Sequence, residues 1–302
     1  MAMQPAQQQA AALTITHLMS GNAVKARFNE ILGKKAPGFI SSVLAVSKTG
    51  LLQKADPSTI LNAAVVAATL DLPINPNLGF SYIVPYNNRK EVAPGRWEKV
   101  TEAQFQLGYK GYIQLAQRSG LYRTINATDI REGELVSTDI LSGDIVVKAQ
   151  PNREQKEVVG YAAYFELLNG FRKTLYMSKA ELEAHAMQYS QSYANEKSRK
   201  ASLWATQFDV MAKKTVIKLL LSKFGPLTTE MQKAQAFDQA VIKDADDENS
   251  ALYVDNQYGI QNANQGEVVD FEEEADPAAA PSKPDWKKAV EEQQDDNAKE
   301  PF

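Results

Sequence analysis

"TEAQFQLGYKGYIQLAQRSG", Thr101 to Gly120, changes its repeat part-way along. As far as Gly108, apolar and polar residues alternate. Ala103, Phe105 and Leu107 lie on one face, and Glu102, Gln104 and Gln106 on the other, which is the two-residue period of a half-buried strand. From Leu107 to Tyr122 the period lengthens. Tyr109, Tyr112, Ile113 and Ala116 make an apolar stripe, while Lys110, Gln114, Gln117 and Arg118 fall at i, i+4, i+7 and i+8 on a polar one, so the stretch predicts an amphipathic helix. The chain therefore mixes strand and helix within twenty residues.

Upstream, "FSYIVPY" (Phe80–Tyr86) reads as a partner strand. "NNRKEVAPGRWEK" (Asn87–Lys99) joins the two as a polar arm, with Asn87, Asn88, Pro94 and Gly95 as its turn residues. The pair predicts a hairpin with a long basic tip. Helices precede it at Asn22–Ile31 and Pro37–Ser47. A third starts with Asp56 as N-cap and Pro57 in the first turn, and carries the stripe Ile60, Leu61, Ala64, Val65 and Ala68. "LPINPNLG" ends that helix. Downstream, strands are predicted at Tyr122–Ile130, Ile145–Ala149, Glu157–Leu167 and Phe171–Met177, the last two forming a hairpin around Asn169-Gly170. Helices follow at Ser178–His185, at about Lys200–Lys223, where Gly225-Pro226 stops the run, and at Thr228–Ala240. These elements make the expected fold class α+β, with antiparallel hairpins between helices at the N-terminal side and helices that follow. The expected parts are a disordered segment over 1–20, Gln/Ala-rich to Ala12, a folded body over 21–243, and a largely disordered acidic tail over 244–302.

The net charge of −4 hides a division. Met1 to Phe237 holds 28 basic and 19 acidic residues, whereas Asp238 to Phe302 holds 5 and 18. A basic body with an acidic tail is the asymmetry of proteins that handle polyanions. There is no Cys, which excludes disulfides and thiolate metal sites and suits a reducing cytoplasm. The N-terminal stretch does not read as a secretory signal, and "ILNAAVVAATLDL" is too short and Ala-rich to span a bilayer, so no membrane partner is expected.

Catalytic signatures are missing. "ILGKKAPG" has a Gly-Lys pair but Phe28 where a phosphate loop needs its first Gly. No G-x-S-x-G occurs. Of the two histidines, His17 and His185, the second stands i, i+4 from Glu181 and reads better as a solvated pair than as a metal site. Glu272–Glu274 falls in the acidic tail. No catalytic residue, metal or cofactor is expected. A nuclease built from scattered carboxylates stays open as an alternative, because such ligands need not be adjacent in sequence.

Cationic candidates are plentiful. In "LWATQFDVMAKKTVIKLLLSKFG" (Leu203–Gly225), Trp204, Phe208, Met211, Thr215 and Leu219 repeat as a packing stripe. Lys213, Lys214 and Lys218 are expected together on the wet side, where a counter-anion would relieve their repulsion. The arm adds Arg89, Lys90, Arg96 and Lys99 around Trp97, a basic and aromatic mixture suited to a sequence-neutral single-strand binder.

At these residues the chain resembles a known family. "LDLPINPNLGFSYIVPY", "FQLGYKGYIQLAQRSG" and the W-x3-F-D-V-M-A-K-K-T-V-I-K run from Trp204 to Lys218 are similar to the RecT family of phage-type single-strand annealing proteins, related to Redβ. The resemblance spans about Leu70 to Phe224 and covers the tail least. It implies a core of antiparallel β-sheet and hairpin backed by helices, in a DNA recombination protein that anneals complementary single strands without ATP. It implies assembly as a homo-oligomer, ring or helical filament, beside a 5′-to-3′ phage exonuclease in the bacterial host's cytoplasm.

The expected DNA-binding residues are Lys110, Gln114, Gln117, Arg118, Lys213, Lys214, Lys218, Arg96, Lys99, Gln104 and Gln106. Their partners are single-stranded DNA and the annealed duplex intermediate. Backbone contacts neutralise phosphates and leave bases free to pair. The tail is expected to recruit the exonuclease or the host single-strand-binding protein. Its Asp295, Asp296, Pro301 and Phe302 resemble that protein's acidic Pro-Phe tip, although Lys299 and Glu300 interrupt the likeness. Two other classes compete with annealing: a metal-dependent DNA-processing enzyme, and a polyanion-binding scaffold that never pairs strands.

Overall fold

The computed structural model describes residues 14–93, 95–247 and 250–253, with backbone alone for Arg89 to Val92. It is a mixed α and β protein with antiparallel sheets, as expected. The first sheet has the order β1-β2-β8-β9. Its long hairpin is β1 (Ser81–Ala93) with β2 (Arg96–Leu107), and β8 (Ala240–Ile242) and β9 (Ala251–Leu252) extend it. The second sheet runs β3-β6-β7, built from β3 (Tyr122–Arg131), β6 (Val158–Leu167) and β7 (Arg172–Ser178). A small hairpin, β4 (Leu135–Thr138) with β5 (Ile145–Val147), forms a two-stranded sheet of its own.

The helices fill the space around these sheets. On the N-terminal side are α1 (Ile15–Ser20), α2 (Asn22–Leu32), α3 (Ala36–Ser47) and α4 (Pro57–Thr69). The α4 cap is the expected one: Asp56 accepts from Ser58 N at 2.9 Å and from Ser58 Oγ at 2.7 Å, which satisfies donors the helix leaves open. The face carrying Ile60, Ala64, Val65 and Ala68 is buried and packs on β2. The amphipathic helix is α5 (Tyr109–Arg118). It leaves β2 through Gly108, whose N–H donates to Phe80 O at 2.8 Å. A Cβ on Gly108 would lie 2.1 Å from Gly79 O, and one on Gly111 2.3 Å from Phe80 O. Both glycines are therefore required by the close passage of the Gly79–Phe80 backbone. Then come α6 (Lys179–Tyr189), three short helices α7 (Gln191–Ala194), α8 (Glu196–Arg199) and α9 (Leu203–Thr206), and α10 (Phe208–Phe224) and α11 (Thr229–Phe237). α10 packs on the second sheet and on α5, and Phe105, Tyr112, Phe165 and Phe237 are fully buried in the common core.

Several boundaries differ from the sequence reading. The first ordered residues lie inside the segment expected to be disordered over 1–20. Thr14 Oγ1 caps α1 by accepting from His17 N, and Met19 is buried; residues 1–13 lie outside the described ones. Asn87 and Asn88 are ladder residues, not turn residues. The β1–β2 register runs on to Ala93↔Arg96, and the two side chains make cross-strand bonds to Thr101 and Glu102. The long helix expected from Lys200 is broken at Gln207 into α9 and α10. Beyond α11 the chain forms β8 and β9, which carry structure past the expected boundary at Asp244, with Ala245 and Ala251 buried. Three-residue strands carry too little periodicity to be read. The rest of the expected tail, from Val254, lies outside the described residues.

Candidate nucleic-acid interface

A cleft of about 970 Å³ lies between the β1–β2 hairpin and the chain from α6 to α10. The hairpin contributes Val84, Pro85, Tyr86, Asn87, Lys99 and Gln106. The segment from α6 to α9 contributes uncharged groups, chiefly His185, Tyr189, Ser190, Gln191, Asn195 and Ser202. Lys214, Thr215 and Lys218 come from α10. Tyr86 Oη and Gln191 Oε1, 3.4 Å apart, link hairpin to helix.

The charge at the α10 side is organised by a residue the sequence reading did not single out. Asp238, at the end of α11, is 1% exposed. Lys214 Nζ donates to its Oδ1 and Lys218 Nζ to its Oδ2, each at 2.8 Å. Leu107 N donates to Oδ1 at 2.9 Å and Tyr112 Oη to Oδ2 at 3.0 Å. Burial alone would raise the Asp238 pKa, but the two ammonium groups outweigh it and hold the carboxyl far below the usual carboxylate range. Burial lowers the Lys214 pKa, against the pull of Asp238, and burial raises the Tyr112 phenol, with the Asp238 charge adding to it. One carboxylate neutralises one of the two lysines. The surplus positive charge reaches the cleft through Lys218, whose side chain is 32% exposed against 7% for Lys214.

This corrects the wet-side expectation for α10. Lys214 is buried, because α10 is covered on most of its circumference: Ala212, Val216, Ile217, Leu220 and Leu221 are buried with it. Lys213 lies outside the cleft lining and pairs with Asp209 at 2.9 Å. On β2, Gln104 is fully buried rather than wet, since β8 pairs there as Gln104↔Val241; it bonds Gln239 O and accepts from Gln106 Nε2 at 2.8 Å. Lys99 is exposed in the cleft without a carboxylate partner among the described residues. Arg96 lies outside it, 2.6 Å from Glu98.

The polar side of α5 also lies outside the cleft lining. Arg118 Nη2 donates to Leu70 O at the end of α4, and its guanidinium stands 3.7 Å from both Asp71 and Glu230. Lys110 and Gln117 are exposed, and Gln114 is half-buried. Glu181 is engaged as well, closing a capping box with Ser178. Among the described residues no group of three or more His, Asp or Glu is placed to hold a metal, and no helix is long and apolar enough to cross a membrane.

Comparison with known proteins places the chain among the single-strand annealing proteins, which bind DNA in recombination. The chain belongs to the RecT family, whose sequence model matches residues 37–252. It is 43% identical over 269 residues to "Uncharacterized protein YqaK" of Bacillus subtilis, an alignment covering 89% of this chain and 82% of that one. It is 26% identical over 218 residues to "Protein RecT" of Escherichia coli, covering 72% and 76%.

Proposed function

We propose that the protein holds single-stranded DNA along the α10 cleft and anneals complementary strands without nucleotide hydrolysis, working as a ring or helical filament. The observation that carries this reading is the single carboxylate, Asp238, shared by two lysines. It leaves a fixed positive charge in the cleft that a phosphate would complete. Lys218 and Lys99 are assigned to phosphates, and Gln106 to a phosphate or sugar oxygen. Lys214 is assigned to positioning, since it shares Asp238 with Lys218. Arg118, Lys213 and Gln104 receive no DNA contact, because they lie outside the cleft lining. One cleft tracks only a few nucleotides, so an oligomer is needed to align enough bases for a stable duplex. Pairing itself supplies specificity and driving energy, and no bond-breaking step is assigned.

The tail is assigned to recruiting the 5′-to-3′ exonuclease or the host single-strand-binding protein. A chain ending after Tyr253 is then expected to anneal purified oligonucleotides and to fail in recombination that depends on those partners.

The test is to mix two complementary labelled oligonucleotides with the protein, with and without ATP and divalent metal. Intact duplex forming at the same rate without ATP supports the proposal. Strand shortening on adding metal would point to a nuclease, and binding without pairing to a scaffold.

A further inference from the structure

Phosphate contacts alone would hold any polyanion, duplex included. The cleft also carries an aromatic feature that a phosphate track does not use. Tyr189, the last residue of α6, lines the cleft with its side chain left open to solvent, the residue being 39% exposed. His185, one helical turn earlier and on the same face, also lines the cleft. The two ring centroids are 4.5 Å apart. Behind His185 stands Trp204, 6.4 Å away and only 5% exposed, itself edge-on to Phe208 at 5.6 Å. The pair is thus backed by the core rather than floating on the surface. Leu203, 41% exposed, adds apolar surface in the same cleft.

We propose that Tyr189, supported by His185, is a stacking shelf for one unpaired nucleobase of the bound strand, while Lys218 holds a neighbouring phosphate. The inference rests on the reading of the cleft as a DNA track and adds what the strand presents there. A base has two chemically separate surfaces. Its faces stack on aromatic rings whatever the base, and its edges carry the pairing code. A shelf that grips by the face leaves the Watson–Crick edge free for a complementary strand. It also separates single strands from duplex, because in duplex each face is already covered by the next base pair. Lys218 lines the same cleft as His185 and Tyr189, so one bound strand can meet a phosphate contact and a base contact there.

The test compares two strands of equal length and charge, an oligothymidylate and its abasic counterpart, for the wild-type chain and for Tyr189→Ala, Tyr189→Phe and Lys218→Ala. Tyr189→Ala is expected to weaken the base-bearing strand by about tenfold, the scale of one lost base–aromatic stack, and to change the abasic strand by less than about twofold. Tyr189→Phe, which keeps the face, should restore the ratio. Equal losses on both strands, or no loss on either, would overturn the shelf. Lys218→Ala should weaken both strands alike; if it weakens neither, the DNA-track reading fails as well, which is a separate outcome. A strand carrying 5-iodouracil gives an independent readout on the unaltered protein. Photocrosslinks should map to Tyr189 or His185, and crosslinks confined to other elements would contradict the proposal.

Discussion

α5 and α10 carry the same kind of sequence signature and end in different structural situations. Each pairs an apolar stripe with lysine, arginine or glutamine at helical spacing. On α10 two of the cations converge on one buried carboxylate, and the second of them opens into a cleft. On α5 the strongest cation, Arg118, is turned to the end of α4 and to Asp71 and Glu230. The lesson concerns what makes a cation available. Position on a wet helix face is not enough. What matters is the local counter-charge together with access to the cleft: α10 has two lysines to one carboxylate and sends one of them into the cleft, whereas Arg118 faces Glu230 and Asp71, the latter shared with Lys35, and α5 presents its cations outside the cleft lining.

The largest effect that would sharpen this contrast comes from Asp238. Replacing it with Ala strands Lys214 in the core with no counter-charge, and should destabilise the fold by about 3–5 kcal/mol, read by urea or thermal unfolding. The same residue sets a pH window. Its pKa is depressed in the fold, so the stability it contributes is present above the unfolded value near pH 4 and is lost as pH falls below it. Unfolding free energy should decline from about pH 5 downward, and the decline should be shallower in Asp238→Ala. Next in size is Gly111→Ala on α5. A Cβ there meets Phe80 O, and the overpacking should destabilise the fold by about 1–3 kcal/mol. Arg118→Ala should lower stability by about 1 kcal/mol through the lost bond to Leu70 O, and leave DNA affinity unchanged; a clear loss of affinity in a folded variant would break the contrast from the α5 side.

The smallest effect belongs to His185. Burial lowers its pKa, and the Lys218 charge lowers it further, which favours the neutral ring. A bound phosphate nearby favours its protonated form, so single-strand affinity should rise modestly as pH falls from 7 toward 5. In His185→Gln that rise should disappear, as titrated by fluorescence anisotropy.

Local rules made much of the fold legible. The Asp56–Pro57 cap, the β1–β2 pairing, the two stripes of α5 and the Asn169-Gly170 hairpin, where Gly170 has φ +87° and Leu167 N donates to Phe171 O at 2.8 Å, are written in short stretches of chain. The site was harder to read. Lys99, Gln106, Lys214 and Lys218 do line the cleft, but α10 is buried nearly all round, so its helical period could not tell which lysine meets water. Asp238 was hidden for another reason. A charge count assigns it to the acidic C-terminal stretch, although it is the counter-ion of the basic body. Nothing in a linear sequence signals that residue 238 closes on residues 107, 112, 214 and 218, because that closure depends on α11 returning the chain to the first sheet. Tyr189 was missed because α6 has almost no apolar period to set one aromatic apart.

The most direct measurement is the salt dependence of single-strand affinity for two double variants. Lys99→Ala with Lys218→Ala is expected to remove two phosphate contacts from the cleft. The slope of log affinity against log salt should fall in magnitude by about 2. In Lys110→Ala with Arg118→Ala, the same formal charge is removed from α5, and the slope should match the unaltered protein. Equal loss of slope in both, or loss in the α5 pair alone, would contradict the assignment of the DNA track to the α10 cleft.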